Sequence, residues 1–172
     1  MMNLNLCLYF SSMSKYLKFF VNLVTKTAIA VAIGLGIGNP ALAVTQKLQL
    51  ETATGYLIET VFSYDDVNHP TIIHEQGKGK TEIVESMQVS FYQPSGKLIA
   101  TYDNIVDGVA QGNYFEFNFQ PQTGQLFGNI DLGGEFPGEM YLKGEVERQL
   151  SLIEVERSGK EKEIGRVNEG SF

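Results

Sequence analysis

The sequence predicts an all-β protein: an antiparallel meander folded over into a sandwich, with a closed barrel as the alternative arrangement. Three observations carry that reading. Past Ala43 no long segment places apolar residues at helical spacing. Short runs rich in Val, Ile, Phe, Tyr and Thr recur instead, several of them in alternation. Between them stand Gly, Pro, Asn and Asp clusters whose backbone preferences make turns. About seven main strands joined by short turns must close on themselves or fold over to bury one face.

The chain opens with a segment of different character. Met13 reads as the translation start, and Lys15, Lys18 and Lys26 form a positive front. The stretch 27–38 is uncharged and apolar or small, Asn39-Pro40 breaks the helix, and Ala41 and Ala43 offer the small side chains a signal peptidase accepts. Residues 1–43 therefore read as a signal peptide cut after Ala43. A membrane anchor fits worse. Twelve uncharged residues fall short of the roughly 20 that span a bilayer, and extension past Lys26 puts an ammonium in hydrocarbon. Twin arginines are absent and no cysteine follows the apolar run, so the general secretory route is expected, without a lipid anchor. The destination is periplasm, lumen or exterior, with no stable membrane span after cleavage.

The 172 residues include 13 basic and 20 acidic side chains, a net charge of −7. The leader holds three of the lysines and no acid, so residues 44–172 carry −10. Such acidity repels phosphate backbones and anionic lipid surfaces, which excludes nucleic acid as a partner. The single cysteine, Cys7, lies in the leader, so the exported domain is disulfide-free and must be stable through burial.

The first β run, 49–64, puts Tyr56, Ile58, Thr60, Phe62 and Tyr64 on one face. A polar loop, 65–81, contains Pro70, Gly77-Lys78-Gly79 and a short edge strand at Ile72-Ile73. Its length lets the chain pass between sheets, which favours the sandwich. The second run, 82–92, has Ile83, Met87, Val89 and Phe91 in step. Gln93-Pro94-Ser95-Gly96 then supplies a turn into the third run, 97–106. Residues 114–120 alternate most cleanly, with Phe115, Phe117 and Phe119 on one side. Pro121-Gln122-Thr123-Gly124 closes a hairpin onto 125–132, and the runs 138–147 and 150–157 form a last pair. Gly128 and Gly144 suit bends or bulges in a curved sheet. Residues 158–172 are charged and interrupted by glycine, and read as a flexible tail after a single β domain at 44–157.

No catalytic residue is assigned. Cys7 is in the leader, no Gly-x-Ser-x-Gly pattern occurs, and the one acid on a mainly apolar face is Glu85, near a strand start. Phe115, Phe117 and Phe119 are candidates for lining an apolar cavity, although a strand's inner face gives the same pattern. Tyr114 and Tyr141 join them as candidate ligand contacts, within a set of tyrosines that a carbohydrate-facing surface would use. Asp65, Asp66, Asn68 and His69 are candidate metal ligands in one loop, in a spacing that matches no calcium-loop pattern. No cofactor is implied. The leading functional expectation is an exported, non-enzymatic binding or surface-interaction module for an unidentified small ligand or protein. The alternatives are a small apolar-ligand carrier of up-and-down barrel type and an accessory carbohydrate- or calcium-binding protein.

The strings GYLIETVFSYDD, ESMQVSFYQPSGKLIATYDN and FEFNFQPQTGQLFGNIDLGG resemble a group of small exported β proteins of unknown function common in cyanobacteria. The shared features are Phe-x-Tyr-Asp at 62–65, a Phe-Tyr-x-Pro-x-Gly turn and a Phe-x-Phe … Thr-Gly-x-Leu-x-Gly hairpin, covering about residues 55–134. The resemblance implies a compartment and a fold class, and transfers no functional residue.

Overall fold

A computed structural model describes residues 43–67 and 69–168. Residues 1–42, the expected signal peptide up to Leu42 with Ala41 in it, lie outside them, as do Asn68 and residues 169–172 of the expected tail. Among the described residues there are thirteen strands, no helix, and therefore no helix long and apolar enough to cross a membrane.

Two antiparallel sheets face each other, and neither closes into a barrel. The first contains β1 (Ala43–Glu51), β2 (Leu57–Asp65), β4 (Gly79–Lys80), β5 (Val84–Tyr92), β6 (Leu98–Val106) and β7 (Val109–Ala110), in the order β1-β2-β5-β6-β7-β4. The second contains β3 (Ile73–Gln76), β8 (Glu116–Gln120), β10 (Asn129–Gly133), β11 (Met140–Glu145), β12 (Gln149–Val155) and β13 (Glu161–Arg166). Their order is β13-β12-β11-β10-β8-β3, with the short β9 (Gln125–Leu126) also paired to β8. The long loop does carry the chain between sheets: β3 forms an edge of the second before β4 returns to the first.

Alternation explains the core. On β2 Ile58, Thr60, Phe62 and Tyr64 point inward, and Met87, Val89 and Phe91 extend that layer on β5. From the other side come Phe117 and Phe119 of β8, Ile130 and Leu132 of β10, Leu142 of β11, and Leu150 and Leu152 of β12. Phe62 locks the layers together, meeting Phe117 edge-on at 4.9 Å and Phe119 at 5.0 Å between ring centres. The phenylalanine row is thus core. Phe117 and Phe119 are fully buried against Phe62, which takes them out of the carrier role expected as an alternative.

Polar bolts reinforce the apolar contact. Asn104 of β6 donates to the Gly133 carbonyl at 2.8 Å and accepts from the Gly133 amide at 2.9 Å. The Tyr102 hydroxyl accepts the Met140 N–H at 3.1 Å. Glu75 of β3, only 4% exposed, reaches the first sheet and accepts three consecutive backbone N–H groups, those of residues 82–84.

Several expectations are corrected. The run 49–64 is two strands, not one: Gly55, at φ 83°, donates to the Thr52 carbonyl and turns β1 into β2. The supposed tail supplies β13, whose end joins the end of β1 through the Thr52–Val167 bridge and a 2.8 Å bond from the Ala53 N–H to the Arg166 carbonyl. Gly165 permits that seam, since a side chain there would press on Thr52. Glu85 is exposed, because a bulge opposite Ser63 and Tyr64 shifts the register and turns Val84 inward instead.

Candidate functional site

Strand register gathers polar side chains that lie far apart in sequence. Gln76 on β3 pairs with Glu116 on β8, Glu116 with Asp131 on β10, Asp131 with Lys143 on β11, and Lys143 with Ser151 on β12. Their apolar neighbours along each strand face the core, so this row runs across the outer surface of the second sheet.

β8 and β10 meet through the single pair Asp131–Glu116 and part on either side of it. At that parting lies an open groove of about 460 Å³. Its lining includes the polar Gln76, Asn113, Glu116, Asn129, Lys143 and Glu145, the less exposed Asp131, and the aromatics Tyr114 and Phe115. Gly144 lines it as well, at φ 145°, where a Cβ would run into the Gln149 carbonyl. No other residue suits that position.

Tyr114 is the exposed aromatic of the groove, 71% accessible. Glu135, from the bend after β10, fixes the backbone at this position. One carboxylate oxygen accepts the Tyr114 N–H at 2.6 Å, and the other accepts from the Asn113 side-chain amide at 3.1 Å. Gly112 lets Glu135 come close, since a Cβ would stand 2.7 Å from its Oε1.

The charges are mostly paired. Lys143 Nζ lies 3.3 Å from Asp131, and Arg148 lies 3.0 Å from Glu145. Burial pushes the Asp131 carboxyl up to about 6, against the pull of Lys143 and with help from Glu135 and Glu116. Burial, with Glu161 and Asp131 nearby, also raises the Tyr141 phenol. Lys143 Nζ stands 5.9 Å from the centre of the Tyr141 ring.

Of the expected ligand contacts, Tyr114 lines the groove exposed, while Phe115 borders it with its side chain buried in the core. Tyr141 is 7% exposed beside the groove, with its ring beneath Lys143 rather than open to a ligand. Tyr64 is buried, so the tyrosines form no continuous exposed row. In the loop after β2, Asp65 accepts the Val67 N–H at 2.8 Å, and Asp66 lies 3.3 Å from the exposed His69 ring. That is turn chemistry, and no described group of three His, Cys, Asp or Glu side chains is placed to hold a metal ion. Gln76, Glu116, Asp131 and Lys143 went unrecognised in the sequence, because only long-range register assembles them. No family model matches the chain, and no curated protein or solved structure matches it either.

Proposed function

We propose that this chain is an exported, non-enzymatic binding module whose ligand surface is the groove on the outer face of the second sheet. One observation carries the reading: an exposed aromatic, Tyr114, is clamped through its own backbone by Glu135 in a groove lined by polar groups. An exposed ring whose backbone is fixed beside a polar row offers a partner a stacking face, with less of its backbone left to order on binding. Export rests on the lysine-led leader with its short apolar run and its small-residue exit at Ala41 and Ala43. The same compartment is the one suggested by the resemblance to small exported cyanobacterial β proteins. The net −10 of residues 44–172 argues against nucleic acid.

The test has two parts. Cells expressing the protein with its leader are fractionated and its N-terminus sequenced; protein outside the cytoplasm starting at Val44 is expected, and protein confined to the cytoplasm with its leader intact refutes export. Its thermal midpoint is then measured against calcium, transition metals, fatty acids, pigments and oligosaccharides. A ligand that binds only the folded state raises the midpoint. A shift that Tyr114→Ala abolishes supports the groove; a shift that Tyr114→Ala leaves intact places binding elsewhere.

Glycoside hydrolysis is a second reading, favoured by Asp131 with its raised pKa beside Glu116 in an open cleft. Release of reducing ends from an oligosaccharide during the same panel establishes it and overturns the non-enzymatic assignment.

A further inference from the structure

We propose that the groove binds a neutral polyhydroxylated ligand, a glycan segment, with Tyr114 stacking on a sugar ring and the Glu116–Asp131–Lys143 row hydrogen-bonding its hydroxyls. This rests on the groove being the binding surface.

Charge pairing selects the ligand class. Asp131 is matched by Lys143 and Glu145 by Arg148, which leaves Glu116 as the lining acid without an ion-pair partner among the described residues. An anionic ligand would meet three carboxylates at the lining. A cationic ligand would meet the Lys143 ammonium, whose side chain is 57% exposed while its partner Asp131 is only 15% exposed. What projects furthest from that pair is the positive end.

Hydroxyls suit such a surface because each is a donor and an acceptor at once. A vicinal pair can donate to Glu116 or Asp131 and accept from Lys143 or from the exposed amides of Gln76, Asn113 and Asn129. The ion pairs need not break. The apolar C–H face of a pyranose needs a flat ring, and Tyr114 is the exposed aromatic in the groove. The volume, about 460 Å³, lies within the range of small-ligand sites, and the groove is open to solvent. A protein partner is the weaker choice. Interface centres are aromatic and depleted of charge, whereas this lining carries a row of charged side chains.

The test titrates the full exported chain with neutral hexasaccharides (cellohexaose, maltohexaose, xylohexaose), anionic hexagalacturonate and a cationic chitosan hexamer. Binding is followed by calorimetry and by the NMR signals of Tyr114. At least one neutral hexamer is expected to bind at least tenfold tighter than either charged one. Tyr114→Ala, at an exposed site, should weaken it tenfold or more, and Tyr114→Phe should stay within threefold of the parent. Tighter binding of a charged hexamer, equal binding by Tyr114→Ala, or no binding by any neutral hexamer overturns the assignment. If Tyr114 signals then move with another compound class, the groove remains the binding surface and only the ligand class is wrong. If they move with none, both readings fall.

Discussion

Replacing Glu75 by alanine removes the acceptor for three consecutive backbone N–H groups and releases β3 from the first sheet. Oε1 takes the amides of Glu82, Ile83 and Val84 at 3.1, 2.7 and 3.0 Å, and Oε2 takes Glu82 again at 3.0 Å. Glu82 is exposed, so its amide can turn to water; Ile83 is half-buried and Val84 is buried. A buried donor left without a partner costs about 1–3 kcal/mol, so two of them cost about 2–6 kcal/mol. Domains of this kind have about 5–15 kcal/mol in hand, so most of the population stays folded. With a urea slope of about 2 kcal/mol per molar, a central loss of about 4 kcal/mol lowers the midpoint by about 2 M. Glu75→Gln keeps the oxygen that takes three bonds but turns an NH₂ toward the Glu82 amide, for a loss of about 1–2 kcal/mol. Far-UV circular dichroism during urea unfolding reads both. Glu75→Ala within about 0.5 kcal/mol of the parent, at unchanged slope, would refute the view that this carboxylate fastens the sheets.

Three further outcomes follow from the same geometry. Burial holds the Asp131 carboxyl at about 6 in the folded protein against an ordinary 3.8, so the folded state holds its proton more tightly and stability falls as pH rises through that window. Asp131→Asn should therefore raise stability by about 1–3 kcal/mol at about pH 8 and change little near pH 4; a loss at pH 8 would mean that the Lys143 pair outweighs burial. Gly144→Ala combines φ 145° with a collision at the Gln149 carbonyl, and should prevent soluble folded expression or cost at least about 2 kcal/mol by thermal unfolding. Phe117→Ala should cost about 3–5 kcal/mol, while fatty acids leave the parent midpoint unmoved; a large fatty-acid shift that this variant loses would restore the cavity reading.

Legibility in the sequence followed the strength of the local signal. The inward rows of β2, β5 and β8 were readable because bulky residues recur at every second position over Ile58–Tyr64 (Thr60 apart), Met87–Phe91 and Phe115–Phe119. β13 was not, because EKEIGR has charged residues on its exposed positions and buries only Gly165 fully, with Ile164 half-covered. An edge strand needs little apolar surface to pair, so composition cannot separate it from a charged tail. The turn at residues 52–55 lacks Pro, Asn and Asp, leaving Gly55 as its one cue. Glu85 shows how fragile a face assignment is: one bulged residue exchanges it with Val84. Glu75 was hidden by its neighbours His74 and Gln76, which gave the segment the look of a solvated loop.

The site was less legible than the fold, for a reason that also bears on its function. Tyr114 could be flagged from its place before an alternating strand, but Gln76, Glu116, Asp131 and Lys143 come from four strands and share a row only through register. Register in the second sheet is set by what lies beneath it. Glu75 ties β3 to the first sheet, Asn104 ties β10, and Tyr102 ties the start of β11. Each bolt fixes a strand that contributes one member of the outer row. A side chain's partner on the surface therefore depends on hydrogen bonds made on the opposite face of its sheet. If that holds, Glu75→Gln should do more than lower the unfolding midpoint. It should displace Gln76 and Glu116 and weaken any groove ligand several-fold at temperatures where the protein is still fully folded. Unchanged ligand affinity in folded Glu75→Gln would show that the row holds its spacing without the bolt beneath it.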